Sequence, residues 1–331
     1  MKLYYLAFSS RGLALAQKLA SALGGRAERC GGPVTLAGWT ADHFAPGTGL
    51  VYVGACGIAV RAVAPHLRSK ETDPAVVAVD EQGHFAVPLV AGHLGGANAL
   101  ARAIAAACGA VPVLTTATDA AGRFPIDDWA RAQGCAVADL HKIKAVSARL
   151  LDGQGIRLYS DWPIRGQPPP EVRLTGRKED CDAALTLTDP GSPLWLVPRV
   201  LALGVGCRRG TPARTIEAAW QALAAGRGLC PKSVCVVCSI DRKADEPGLL
   251  EFCRSHGWPL ATYTAAQLRD APGRFTPSAF VAQTVGVDNV CERAAVLGAQ
   301  GGDLLVPKQA GAGVTLAVAA RAFGPDWKWT E

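Results

Sequence analysis

Short runs of consecutive apolar residues alternate along this chain with longer stretches in which apolar positions recur every three or four residues. That alternation predicts an α/β protein. β-rich runs fall at 3–8, 50–54, 75–80 and 111–115, with helical patterns at 11–23 and 97–108 between them. Ser9 or Ser10 is placed to cap the first helix and Gly24-Gly25 to end it. A further helix is predicted over 127–133, with Asp127 as cap and Gly134 as stop. Between about 135 and 198 the periodicity loosens. Gln167-Pro168-Pro169-Pro170, Asp189-Pro190-Gly191-Ser192-Pro193 and Pro198 mark turns there, so a linking region without a regular sheet is expected. A second series follows: strand 200–206, helix 211–225, strand 233–239, helix 246–255, strand 259–262, helix 288–299, strand 303–306 and an apolar segment 314–322. The expected architecture is two α/β domains with largely parallel sheets, 1–134 and 199–331, joined by an irregular middle region, 135–198, with a cleft between the domains.

The length, 331 residues, agrees with two domains, and 49% hydrophobic against 19% charged residues supplies ample core. No apolar run approaches the roughly 18 residues of a membrane span, and the N-terminal apolar stretch meets Ser9-Ser10-Arg11-Gly12 too early for a signal peptide. It reads as a first strand. Eleven cysteines are scattered singly in apolar contexts, which suits reduced thiols in the cytoplasm. Cys230, Cys235, Cys238, Cys253 and His256 are close enough in sequence to suggest a metal site. The alternation of a strand, however, is expected to point Cys235 and Cys238 to opposite faces. The net charge of +6 lies mainly in the last third, where 15 basic residues face 11 acidic ones over 199–331. With no Lys/Arg run and 6% aromatic residues, nucleic acid is a poor fit and a small polyanion a better one.

Candidate chemistry collects where strands give way to helices. Ala91-Gly92-His93-Leu94-Gly95-Gly96-Ala97-Asn98 ends an apolar run just as a helical pattern begins, so glycines, an amide and a helix N-terminus meet beside His93. His93 suits a general base or a hydrogen-bond donor, or a structural role beside a turn. Gly54 to Arg61 makes a similar junction, although it lacks both the G-x-G-x-x-G and Walker patterns. Lys70 to Pro74 reads as a turn. Thr115-Thr116-Ala117-Thr118-Asp119 follows a strand end, where open α/β sheets bind ligands; an ST-turn or a helix cap is the plainer alternative. In the second series, Gly204-Val205-Gly206-Cys207-Arg208-Arg209-Gly210-Thr211 sets two arginines between strand and helix, a pattern suited to carboxylates. Ser239 to Lys243 with Glu246, Cys291-Glu292-Arg293 and Pro307-Lys308 add polar groups at other element ends, which favours one shared binding face.

Taken in order, Gly57 to Arg61, Lys70 to Asp80, Gly92 to Asn98, Thr115 to Asp119, Gly204 to Thr211, Ser239 to Glu246, Cys291 to Ala295 and Pro307-Lys308 resemble the CbiG family, the cobalt-precorrin 5A hydrolases of anaerobic cobalamin biosynthesis. The region 135–198 matches only loosely. The resemblance implies hydrolysis of a δ-lactone in a cobalt tetrapyrrole with loss of acetaldehyde, giving cobalt-precorrin 5B. It implies no resident metal or cofactor, since the cobalt arrives inside the substrate. The scattered cysteines keep the expected setting cytoplasmic, and neighbouring pathway enzymes and a homodimer stay open as partners.

On that basis His93 is expected as base with Asp119 orienting it or substituting for it, and the Gly95-Gly96 backbone as oxyanion donor. The expected substrate contacts are Gly57, Arg61, Lys70, Asp73, Gly95, Gly96, Asn98, Thr116, Arg208, Arg209, Thr211, Ser239, Lys243, Glu292 and Lys308. Cys56, Cys207 and Cys291 are competing nucleophiles for an acyl-enzyme route. Two alternatives come from other classes: a precorrin-binding or delivery protein without chemistry and, made distant by the missing fingerprints, a nucleotide-dependent enzyme of doubly wound type.

Overall fold

The run Leu50–Val53 shows no polar alternation because its sheet is covered on both faces. The computed structural model describes residues 1–69, 72–92, 95–115, 122–278, 283 and 285–329. The chain divides into two compact units, one of residues 1–132 with the short segments 150–153 and 328 onward, the other of 133–149 and 154–327.

In the first unit the elements run β1 (Lys2–Ala7), α1 (Ser10–Leu23), β2 (Arg26–Arg29), α2 (Leu36–His43), β3 (Thr48–Val53), α3 (Cys56–Val63), β4 (Ala75–Val79), β5 (Phe85–Val90), α4 (Ala97–Cys108), β6 (Val111–Pro112) and α5 (Ile126–Ala132). The sheet order is β2-β1-β3-β4-β5-β6. Tyr5, Ala7, Val51, Val53, Val77 and Val79 meet Ala16 and Leu19 of α1 and Leu100 and Ile104 of α4. Leu6, Leu50, Tyr52, Val76 and Ala78 pack on the other face against Trp39, Ala59 and Val63. Each buried valine, leucine or isoleucine among them is worth about 1.5–3 kcal/mol. Ser9 does cap α1, its Oγ accepting the Gly12 N–H at 3.0 Å. Strand β2, Arg-Ala-Glu-Arg, had no apolar run to announce it, and the run at 111–115 yields only a two-residue edge strand, where Pro112 needs no N–H.

Strands β1 to β4 run parallel, but β5 is antiparallel to β4 and β6 is parallel to β5. The carboxyl ends of β5 and β6 therefore open at the end of the sheet opposite to those of β1, β3 and β4.

The second unit carries two sheets. Its first elements are β7 (Cys135–Val137), α6 (His141–Leu151), β8 (Ile156–Ser160), β9 (Val172–Thr175), β10 (Ala183–Leu185) and β11 (Leu194–Pro198). They give a five-stranded sheet, β7-β11-β10-β8-β9, parallel except for β7. The α/β class stands, but the expected irregular middle region is corrected, since 135–198 holds a sheet of its own. Strands of three to five residues, such as the fully buried Ala183–Leu185, are too short to show a period, and the proline-rich turns around them dominated the pattern.

The remaining elements are β12 (Leu201–Cys207), α7 (Ala213–Arg227), β13 (Val234–Ile240), α8 (Pro247–His256), β14 (Leu260–Tyr263), α9 (Ala265–Arg269), α10 (Cys291–Gly298), β15 (Asp303–Gly311) and β16 (Val314–Ala320). The sheet order is β14-β13-β12-β16-β15, with β12, β13 and β14 parallel and β16 antiparallel to β12 and β15. Ile216, Trp220, Leu249 and Phe252 of α7 and α8 cover one face. Leu268 of α9 and Ala294 and Ala295 of α10 cover the other.

The expectation that Cys235 and Cys238 face opposite ways is also corrected. A register shift against Leu201/Ala202 puts a bulge in β13, and both cysteines pack on the α10 face. Cys253 lies on the α7/α8 face, where His256 stacks on Trp258 and pairs with Glu217 at 2.6 Å, so the five residues do not converge. Among the described residues no group of three or more His, Cys, Asp or Glu side chains is placed to hold a metal ion, and no helix is long and apolar enough to cross a membrane.

Candidate functional site

Strand β12 sends its helix α7 to one face of its sheet, while the chain returns through α10 on the other face to the β15–β16 hairpin. A crevice therefore opens at the carboxyl end of β12, as expected where strand order reverses. A cavity of about 750 Å³ occupies it. Its walls come from the end of β12 (Gly206 to Arg209), the end of β13 and the turn after it (Ser239 to Lys243), the segment leading into α10 (Asn289 to Cys291), and the hairpin (Lys308 and Ala310 to Thr315). Arg208, Arg209, Arg242, Lys243 and Lys308 all line it, and among the described lining residues there is no Asp or Glu. Low-dielectric walls of Cys207, Ile240, Val285, Val290 and Val314 concentrate that positive field. Such a cavity suits an anionic ligand with an apolar body.

The loop after β12 is held from beneath. Glu246 is buried; one of its oxygens accepts the Gly210 N–H at 2.8 Å and the other the Lys243 ammonium at 2.7 Å. The bond from Lys243 keeps the Glu246 carboxyl below the ordinary range, against the upward push of burial and with help from Gly210. Thr211 Oγ1 donates to the Arg208 carbonyl at 2.8 Å, closing the turn, and the buried Ser239 hydroxyl donates to Val205 O at 2.7 Å, tying β13 to β12. Gly313, at φ +77°, leaves room for the Arg208 side chain to pass. Neither the Arg208 nor the Arg209 guanidinium, both exposed, makes an ion pair with a described carboxylate.

Glu292 lies behind the wall, fully buried at 0% exposure. Its Oε1 accepts the Lys308 N–H at 2.7 Å and the Thr276 hydroxyl at 2.9 Å; its Oε2 accepts the Thr276 N–H at 2.7 Å and Asn289 Nδ2 at 2.8 Å. With two donors on each oxygen the carboxylate is saturated.

Of the sequence candidates, the structure thus brings Arg208, Arg209, Ser239, Lys243 and Lys308 to one cavity, whereas Thr211 and Glu292 support its walls. Arg242 and Asn289 also line it and were not singled out. Asn289 carried a legible signal: it precedes Glu292 by three residues, and the two are bonded both ways, Glu292 N–H donating to Asn289 Oδ1 at 2.9 Å and Asn289 Nδ2 to Glu292 Oε2 at 2.8 Å. The Gly311-Ala312-Gly313 turn gave a second, as a hairpin between apolar runs.

The described N-terminal candidates do not form one group. Gly57 and Arg61, both exposed on α3, follow the carboxyl end of β3. Asp73 precedes β4 at the opposite sheet end and accepts the Arg68 N–H at 3.1 Å on each oxygen, which is turn chemistry. Gly95, Gly96 and Asn98 share that opposite end because β5 is reversed. There Ala97 N–H donates to Ala91 O at 3.1 Å and Asn98 N–H to Gly92 O at 2.8 Å, folding the β5–α4 connection back on itself. A side chain at Gly95 would strike Ala91, and Gly96 begins α4 at φ +88°, so both glycines have local structural reasons to be there. Lys70, His93, Thr116 and Asp119 lie outside the described residues.

Burial raises the Cys207 thiol above its ordinary range and the Cys291 thiol to about 11, so neither is a thiolate at neutral pH. Cys56 is exposed at the start of α3.

Models described as Cobalamin synthesis G N-terminal, Cobalamin biosynthesis central region and Cobalamin synthesis G C-terminus match residues 38–119, 124–246 and 201–319. A protein named cobalt-precorrin-5A hydrolase from Salmonella typhimurium is 36% identical over 296 residues, 83% of either chain. One of the same name from Priestia megaterium is 32% identical over 292 residues, 82% of this chain and 78% of that one. Protein CobE of a Sinorhizobium species is 36% identical over 124 residues, which is 37% of this chain and 80% of CobE. With relatives this similar over four-fifths of its length, the chain belongs to the cobalamin synthesis G (CbiG) family.

Proposed function

We propose that this protein is a cobalt-precorrin 5A hydrolase. It opens the δ-lactone of that cobalt tetrapyrrole, releases acetaldehyde and yields cobalt-precorrin 5B in the anaerobic cobalamin pathway. The observation that carries the reading is identity of 36% across 83% of a relative bearing that name. The cavity at the end of β12 supports it independently, because a substrate rimmed with carboxylates around an apolar macrocycle asks for cations on apolar walls.

In this reading Arg208, Arg209 and Lys308 engage peripheral carboxylates, with Lys243 and Ser239 deeper in the wall. Water adds to the lactone carbonyl and the ring opens to a carboxylate and a hydroxyl. Loss of that hydroxyl's proton then lets the carbon–carbon bond break, acetaldehyde leaves, and the bonding electrons pass to the macrocycle. His93 is assigned the base role, Asp119 its orientation and the Gly95-Gly96 backbone the oxyanion contact, on their sequence placement alone. No resident cofactor is called for, the cobalt being part of the substrate. A cytoplasmic setting is favoured by eleven cysteines that are all free thiols. Neighbouring pathway enzymes and a second copy of the chain are further partners, to which we assign no residues.

Anaerobic incubation of the purified protein with cobalt-precorrin 5A, with a hydrazine reagent as trap, tests the proposal. One acetaldehyde per substrate is expected; tight binding without aldehyde would make the protein a carrier instead.

A further inference from the structure

We infer that Glu292 is a positioning residue for the cationic cavity: it captures the Lys308 N–H that a β-bulge releases from the sheet and thereby aims the Lys308 ammonium at a bound carboxylate. The inference rests on the proposed reading that this cavity takes the substrate's carboxylates.

The bulge is legible in the register. Along β15 and β16, Val306 faces Val318 and Gln309 faces Leu316, so Pro307 and Lys308 together stand opposite Ala317. Pro307 has no N–H to give, and the N–H of Lys308 turns instead to Glu292 Oε1 at 2.7 Å. Bulges of this kind re-aim a side chain, and here the re-aimed side chain lines the cavity.

The residue type at 292 is constrained as well. All four partners of the carboxylate are neutral donors, two on each oxygen. A glutamine of the same size would turn an NH2 group toward two of those donors and lose both bonds. With two donors on each oxygen no acceptor site is left for a donor of the substrate, and burial at 0% closes Glu292 to direct contact. Two of the three partner residues, Asn289 and Lys308, are themselves cavity wall, so the charge acts on the ligand through the wall it holds. The first turn of α10, where Glu292 sits, adds the favourable end of the helix dipole to a carboxylate that has no bonded cation among the described residues.

The test is a double-mutant cycle read by ligand binding. The full-length protein is titrated with uroporphyrin, a carboxylate-rich tetrapyrrole, by quenching of tryptophan fluorescence at two salt concentrations. Lys308→Ala is expected to weaken binding about tenfold, the scale of one charge-assisted contact. Glu292→Gln is expected to weaken it by a similar factor in the wild-type background and by almost nothing in the Lys308→Ala background, with the same loss of salt dependence. Equal weakening by Glu292→Gln in both backgrounds, or no weakening in a folded protein, overturns the positioning role. Should Glu292→Gln not fold, Thr276→Val, which removes the other donor on Oε1, takes its place under the same criteria. The double variant Arg208→Ala/Arg209→Ala separates the two failures. If it leaves uroporphyrin binding unchanged, the cavity reading falls and this inference with it; if it weakens binding while the cycle is additive, the positioning role alone falls.

Discussion

Gly204 of β12 lies directly beneath the main-chain carbonyl of Cys291 at the first turn of α10, with no space for a side chain between them. A Cβ at Gly204 would run into that carbonyl and stand 3.0 Å from the Cβ of Ala295. At the other end of the helix, a Cβ at Gly298, its last residue, would strike Cys238 Sγ. Helix α10 thus rests on the sheet backbone itself, which brings Asn289 and Glu292 within reach of the strand ends. Gly204→Ala should lower the stability by about 1–3 kcal/mol, the usual cost of forcing extra volume into a packed contact. Urea unfolding checks this, and an unchanged midpoint would show that the helix shifts freely.

Arg208 and Arg209 are expected to act on substrate affinity more than on turnover. Replacing either with alanine should raise KM by about ten- to a hundredfold with kcat within a few-fold, corresponding to the loss of one charge-assisted contact of about 1.5–3 kcal/mol. Raising the salt concentration should narrow the gap between wild type and variant. A fall in kcat with unchanged KM would place the arginines in the chemical step instead.

Glu246 predicts an acid limb of stability. Its carboxyl is held below the ordinary 4.5 by the bond from Lys243. A depressed carboxyl contributes stability that is fully present above pH 4.5 and lost as the pH falls through its folded value. Glu246→Gln should therefore be less stable than wild type at pH 7, by about 1–3 kcal/mol, with the difference shrinking below pH 4.5. Thermal unfolding of both proteins from pH 3 to 7 measures it; parallel curves would exclude Glu246 as the titrating group.

Thiol chemistry should be dispensable. Iodoacetamide at pH 7.5 is expected to modify the exposed Cys56 well before Cys207 or Cys291, whose thiols are raised by burial. Peptide mapping locates the label, and activity should survive it. Inactivation that follows labelling of Cys207 or Cys291, and that substrate prevents, would revive the acyl-enzyme route.

His93→Asn should reduce kcat by at least about 100-fold if proton transfer passes through this imidazole. Single-turnover acetaldehyde release is the measurement, and near-normal turnover would remove His93 from the chemistry.

By itself the sequence determined the α/β class, most of the longer elements, and the cluster of cations at strand-to-helix junctions in the last third. Long helices and fully buried strands carry their pattern in consecutive residues, and Arg208-Arg209 adjoins Gly210 whatever the rest of the chain does. The middle sheet was not legible, because strands such as Ala183–Leu185 are too short to show a period. Nor was the reversal of β5, which sends Gly57 and Gly95 to opposite ends of one sheet although both follow strands. The shared face of Cys235 and Cys238 came from a bulge, and a one-residue slip inverts the alternation on which the sequence reading depended. The role of Glu292 was hidden for the same kind of reason. Its partners at 276, 289 and 308 meet only after α10 has settled onto Gly204 and the hairpin has bulged at Lys308. A linear pattern records which groups a chain carries, whereas saturation of a buried carboxylate depends on donors that only long-range packing brings together.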